Sequence, residues 1–272
     1  KGYLTDIDGI GLKTSLFLNK LGIQNINQLA TFNKHEFDQK LSQYKEKNIA
    51  KYSKFIDQSN AYISRRAIGL PNRDKYLKIF FEPKPGFLIF DIESNPDDKH
   101  DFLYGLLSIR NIRQNSKDYV YEPILNLKNE KKFKSDFEIL KQLNLKKNWP
   151  IVHYGETERI AIIKLAREAR YIESEIELLK SRFIDIHSIL KNSWILPLKN
   201  YSLKTVANWI GFNWEQNNVS GSKALFWWLQ YQNNQTNIFL EKIIKYNKDD
   251  CIATLYVARW LLNHAKDEFK RI

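Results

Sequence analysis

The sequence predicts an α/β chain: a small all-α segment over residues 1–80, then a mixed sheet flanked by helices over 86–272. Three observations carry this. Apolar residues recur at helical spacing up to about residue 70. The stretch Phe81-Glu82-Pro83-Lys84-Pro85-Gly86 then denies the backbone a helical ladder. Beyond it, short β-rich runs alternate with longer helical patterns.

In the first segment, Leu16, Leu18 and Leu21, then Ile26 and Leu29, then Tyr52, Phe55 and Ile56 mark short helices, with breaks at Gly22 and Gly69-Leu70-Pro71. The second segment opens on Phe87-Leu88-Ile89-Phe90, a continuous apolar run of the kind a strand buried on both faces carries. Phe102 to Ile112 and Tyr119 to Leu125 read as the next two strands, and Phe133 to Leu145 as a helix. Ile151-Val152-His153-Tyr154 reads as a short buried strand and Thr157 to Tyr171 as a second helix. The remainder is mostly helical, ending in a long helix from about Ile238 to His264. Three strands, a helix, a strand and then helices is the order of an antiparallel meander joined to a parallel crossover.

Composition narrows the classes. The 43% hydrophobic and 14% aromatic content excludes a disordered chain. No run reaches the length of a membrane-spanning helix, and Lys1-Gly2-Tyr3-Leu4-Thr5-Asp6 lacks the apolar region of a secretory signal, so a cytoplasmic setting without a membrane partner is expected. The single Cys251 excludes an internal disulfide, and no Cys/His cluster has zinc spacing, which leaves oxygen ligands for any metal. With no Met at all, a fragment of a longer protein is expected. The 43 Lys and Arg exceed the 31 Asp and Glu by 12. Such a surplus favours a polyanionic partner, although genome base bias also enriches Lys and Asn.

Three groups of residues could carry chemistry. In Phe90-Asp91-Ile92-Glu93 the period of two sends Asp91 and Glu93 to one face, at the end of a buried strand. Two crowded carboxylates there repel unless a divalent cation neutralises them, the alternative being that the strand has ended and both face solvent in the Ser94-Asn95-Pro96-Asp97-Asp98 loop. In the last helix Tyr246 and Asp250 are four apart and share a face. Ile243 and Val257, a heptad to either side of Asp250, place that acid on the packed face, whereas Asp249 shares its rotation with Lys242 and Lys245 and is expected at the surface. Third, Glu156 or Glu158 follows the His153 strand and could face the first two acids, since groups beyond the carboxyl ends of strands converge. Both also suit the first turn of a helix.

In that order the motifs resemble the DnaQ-like, or DEDD, 3′–5′ exonuclease superfamily, in its tyrosine-bearing subclass. Phe90-Asp91-Ile92-Glu93, His153-Tyr154-Gly155, Tyr201-Ser202-Leu203-Lys204 with Gly211-Phe212, and Tyr246-Asn247 followed by Asp250-Cys251 and Ala253-Thr254 are more closely similar to the RNase H-like nuclease domain of RecB-type nucleases. The resemblance covers about Gly86 to Leu262. It implies an RNase H-like fold, two Mg²⁺ or Mn²⁺ ions held by Asp91, Glu93 and Asp250, and in-line attack of water on a phosphodiester. Tyr246 would orient or help deprotonate that water. Glu158 would stand where the wider superfamily usually has Asp, with Glu156 as competitor; Asp185 also falls nearby, or opens a helix. The implied substrate is DNA, single-stranded or at duplex ends, with RNA as the alternative and further domains or a helicase as companions.

The first segment carries its own signal. Ile7-Asp8-Gly9-Ile10-Gly11-Leu12-Lys13, followed by a helix to Leu21, resembles a helix-hairpin-helix element. In such an element Gly9 and Gly11 let backbone amides approach a DNA phosphate and Lys13 adds charge. A turn between packed helices is the structural alternative. Trp194, Trp209, Trp214, Trp227, Trp228 and Trp260 sit among apolar neighbours and read as core before stacking platforms. His153 likewise reads as packed, not as a ligand.

Overall fold

The computed structural model describes residues 2–44, 49–71, 73–97, 99–114, 118–127, 134–216 and 218–265, without the side chains of 134–137. They divide into two compact units: Lys1–Tyr76 with Leu190–Val206, and Leu77–Ile189 with Ala207–Ile272.

The first unit is built from short helices that cannot stand alone and bury one face each. A 3-10 turn at Leu4–Asp6 leads to α1 (Leu12–Lys20), α2 (Ile26–Ala30), α3 (Lys34–Gln43) and α4 (Ile49–Ser64). Asn25 caps α2 by accepting the Gln28 N–H, and Asn33 caps α3 by accepting those of His35 and Glu36. Gly22, at φ +86°, ends α1 in the left-handed conformation that lets the Ile23 N–H reach back to Leu18 O. Leu4, Ile7, Leu18, Ile23, Ile26, Leu29, Phe37, Leu41 and Phe55 form the core. A linear reading does not anticipate that residues 190–206 belong to this unit. They are held by a short antiparallel pairing of β1 (Ile68–Gly69) with Trp194–Ile195, and by ion pairs of Lys191 with Asp8 and Lys199 with Asp6.

The second unit carries a five-stranded mixed sheet. β2 (Phe87–Asn95), β3 (His100–Ile109) and β4 (Tyr119–Leu125) form the expected antiparallel meander, after the short α5 (Lys78–Phe81). β5 (Ile151–His153) adds parallel to β2 after α6 (Lys134–Leu145), so the spatial order becomes β4-β3-β2-β5-β6. Phe133, at the expected start of the helix before β5, and Asp98, in the expected loop after Glu93, lie outside the described residues. The edge strand β6 (Phe183–Asp185), parallel to β5, was not expected. Three residues between helical runs are too few for a period of two to show. α7 (Thr157–Glu168) and α8 (Glu173–Ser181) separate β5 from β6. α9 (Ile186–Ser193), α10 (Leu203–Trp209), α11 (Gly221–Asn234) and α12 (Asn237–Asn263) complete the chain.

Helices cover both faces of the sheet. Leu88 and Phe90 pack with Leu106 and Ile151 against α6, α7 and α8 through Ile139, Leu143, Ile162 and Leu179. On the other face Phe102 stacks on Trp228 of α11, ring centroids 4.5 Å apart, and Ile243 of α12 joins the same cluster. Alternation along β2 therefore sends Leu88 and Phe90 toward α6–α8 and Asp91 and Glu93 toward α12. Among the described residues no helix is long and apolar enough to cross a membrane.

Candidate active site

Asp91 and Glu93 lie inside β2, not beyond its end: they pair with Gly105 and Leu103 of β3, and the register shifts only between Glu93 and Ser94. The solvent-facing alternative is thereby removed; Glu93 is 7% exposed and Asp91 half-buried. A β-bulge at a strand end commonly re-aims side chains, and here it follows directly on the second acid.

α12 crosses this face with a buried stripe that includes Ile243, Asn247, Asp250, Thr254 and Val257. Asn247 is fully buried and reaches the sheet at Gly105, where a Cβ would fall on Asn247 Oδ1. Only glycine admits so close an approach of helix and strand. Asn247 Nδ2 donates to Asp91 Oδ2 at 2.7 Å, and its Oδ1 accepts from the Tyr121 hydroxyl of β4 at 2.8 Å. Trp214, in the segment between α10 and α11, donates Nε1–H to Asp250 Oδ1 at 2.6 Å. Tyr246 also hydrogen-bonds the Asp250 carboxyl. Carboxyl oxygens of Asp91, Glu93 and Asp250 consequently stand within 4.8 Å of one another.

Electrostatically the arrangement is unfavourable as it stands. Burial, then the charges of Asp250, Glu93 and Glu158, push the Asp91 carboxyl well above its ordinary range. Burial and Asp250 do the same to Glu93, opposed by a hydrogen bond from Asn247. The Tyr246 and Tyr121 phenols are raised by burial and by the same acids, so both hydroxyls hold their protons at neutral pH. Oxygen-only ligands, three carboxylates and no thiol or imidazole in the set suit a hard divalent cation such as Mg²⁺ or Mn²⁺.

Of the two competing glutamates, only Glu158 acts on the charges of the cluster. Glu156 is exposed and bound by Arg159. Glu158, 6% exposed in the first turn of α7, contributes to raising both Asp91 and Glu93 and leaves Oε2 with no hydrogen-bond partner. Asp185 ends β6 and opens α9, accepting the N–H groups of Gly155 and His187, both at 2.9 Å; it fixes a turn. Asp249, expected at the surface, is buried instead, because the segment after Trp214 folds over it and Glu215 N–H donates to its carboxylate at 2.9 Å. Burial raises the Asp249 carboxyl despite that bond.

Trp194, Trp227 and Trp228 are buried as expected, but Trp214 serves Asp250 and is no simple core residue. Sequence reasoning missed Trp214, Asn247 and Tyr121. The one available signal was Gly105, a glycine inside a strand otherwise free of them. In the first unit, Gly9, Gly11 and Lys13 are exposed. Gly9 has φ +84°, whereas Gly11 has φ −83° and precedes α1 with no side-chain cap on the helix. The left-handed demand therefore falls on Gly9 alone.

A family model for the RNase H superfamily matches residues 88–262, more than half of the chain. The chain belongs to the RNase H superfamily. No curated protein and no solved structure gives a significant match. The stretch matched to the RNase H superfamily begins within β2 and ends in α12, so it includes Asp91, Glu93, Glu158, Tyr246 and Asp250; Gly9, Gly11 and Lys13 of the first unit lie outside it. Membership in the RNase H superfamily points to nuclease-type hydrolysis of nucleic acid.

Proposed function

We propose that the chain is a metal-dependent nuclease that hydrolyses phosphodiester bonds of DNA, working as a 3′–5′ exonuclease of the tyrosine-bearing DEDD kind with a RecB-type setting. The observation that carries the reading is the set of three carboxylates from β2 and α12, buried or half-buried, mutually repelling, with Asp91 and Asp250 held by neutral donors. Asp91, Glu93 and Asp250 would hold two Mg²⁺ or Mn²⁺ ions, with Glu158 as the fourth acid. Bound there, the cations would neutralise charge on the phosphate and acidify a water.

The protein's own contribution is positional. Asn247 and Trp214 each tie up one carboxylate oxygen, so that Asp91 and Asp250 keep another oxygen for ligation. Tyr246, hydrogen-bonded to the Asp250 carboxyl, would orient the attacking water or help deprotonate it. Gly9, Gly11 and Lys13 would hold a DNA phosphate at the start of α1, a contact that positions without reading sequence. Further domains or a helicase would deliver the strand end.

The test is a time course on 3′-labelled and 5′-labelled single-stranded DNA, with Mn²⁺, with Mg²⁺ and with EDTA, for the wild type and Asp91→Asn. Metal-dependent release of mononucleotides from the 3′ end, absent in the variant, is expected. Retained DNA binding with no cleavage under either metal sinks the proposal, and equal cutting of a matched RNA strand removes the preference for DNA.

A further inference from the structure

Beside the acidic cluster Glu158, the proposed fourth acid, meets a buried histidine that the proposed hydrolysis does not employ. His153 closes β5 with no exposed surface, and neither of its ring nitrogens has a hydrogen-bond partner. Glu158 Oε2, also buried, has none either. These orphaned atoms face each other, Nδ1 standing 3.5 Å from Oε2. Buried polar atoms without partners carry their full desolvation penalty, so three in one place would be an expensive way to fill a core that an apolar residue could fill.

Of the two partners, the imidazole is the fixed one. Phe183 of β6 meets it edge-on, ring centroids 5.4 Å apart at 77°. Gly155, at φ +101°, and its N–H bond to Asp185 fix the turn from β5 into α7. Glu158 ends in a longer, freer side chain than Asp would, so its carboxylate needs a tether to point in one direction. A movement of a few tenths of an ångström turns the 3.5 Å approach into a hydrogen bond.

We propose that His153 is a positioning residue for Glu158: Nδ1–H donates to Oε2 and leaves Oε1 for the Asp91–Glu93–Asp250 group. This rests on the reading of that group as a divalent-cation centre. It explains how a Glu can occupy the fourth acidic position without the loss of definition that its extra methylene brings.

The experiment follows Mn²⁺ binding to the full chain through the resonance signal of the free ion, alongside thermal unfolding. His153→Phe keeps ring volume and the contact with Phe183 but has no donor; His153→Asn keeps a donor near Nδ1. The expected result is Mn²⁺ affinity about 10–100-fold weaker in His153→Phe, restored to within about 5-fold of wild type in His153→Asn. Wild-type affinity in His153→Phe, or no recovery in His153→Asn, overturns the proposal. Should His153→Phe fail to fold, His153→Ala is added to Glu158→Gln: no further loss supports action through Glu158, and an additive loss overturns it. If wild type and Asp91→Asn bind Mn²⁺ equally, the cation centre itself falls, and the role of His153 with it.

Discussion

The glycine turn before α1 in the first unit and the acidic centre of the second are both candidate sites for a phosphate, yet they are built in opposite ways. Gly9, Gly11 and Lys13 are nearly contiguous and exposed, with one cation among them. Asp91 and Glu93 come from β2 and Asp250 from α12, and they are brought together only when the sheet and the last helix are in place. Charge at an exposed turn is screened by water and salt, so each phosphate contact there would add a little independently. Carboxylates held in a poorly solvated site interact strongly, so that each one sets the ionisation of the others. A local, wet site should degrade gradually under mutation; an assembled, buried one should fail as a unit.

The largest effect is expected where that unit is broken. Asp91→Asn or Asp250→Asn should lower cleavage at least about 1,000-fold, about 4 kcal/mol of barrier, while DNA affinity stays within about 2-fold. Loss of binding together with the folded signal would instead make both acids structural. Next is Gly105→Ala. The added methyl meets Asn247 Oδ1 and must push α12 from the sheet, a cost of about 1–3 kcal/mol. A melting midpoint lower by about 2–4 °C per kcal/mol, with reduced activity, is expected. An unchanged midpoint would mean that the helix is not held this closely.

A smaller effect separates the two sites by their response to pH. Asp91 and Glu93 are raised in the folded chain, so the folded state keeps protons that the unfolded chain releases. In EDTA their contribution to stability is complete below the ordinary carboxylate range and is lost as pH rises through the raised folded values. Mn²⁺ should cancel that decline by neutralising the carboxylates, and Asp91→Asn should flatten it without metal. Melting curves at several pH values, with EDTA and with Mn²⁺, check this; a decline identical in wild type and Asp91→Asn counts against crowding as its cause.

The same contrast explains what the sequence made legible. The apolar run before Asp91 and Glu93 announced a buried strand, and the helical period put Tyr246 and Asp250 on the packed face of α12. Asp249 was misplaced because heptad arithmetic sees only the helix it is applied to, whereas the cover over Asp249 comes from Glu215, 34 residues earlier. The role of Asn247, quoted in the Tyr246-Asn247 motif, was hidden for the same reason: its partner Asp91 is 156 residues away. β6 was too short to show a period, and the joining of residues 190–206 to the first unit rests on pairings such as Lys199 with Asp6 that no local pattern encodes. Local chemistry was readable, and long-range partners were not.

The smallest effect tests the gradual side of the comparison. Lys13 is exposed in the first turn of α1, a position where a cation does not favour the helix dipole and so gains the helix nothing. If it faces a phosphate, Lys13→Gln removes one released counterion. DNA affinity should then fall only about 2–5-fold at moderate salt, uniformly across sequences, with the slope of log affinity against log salt reduced by about 1. The cleavage rate at saturating DNA should stay as in the wild type, since nothing in the acidic centre has changed. A loss confined to particular sequences would show that this turn reads bases, and an unchanged salt slope would mean that Lys13 serves only the solubility of α1.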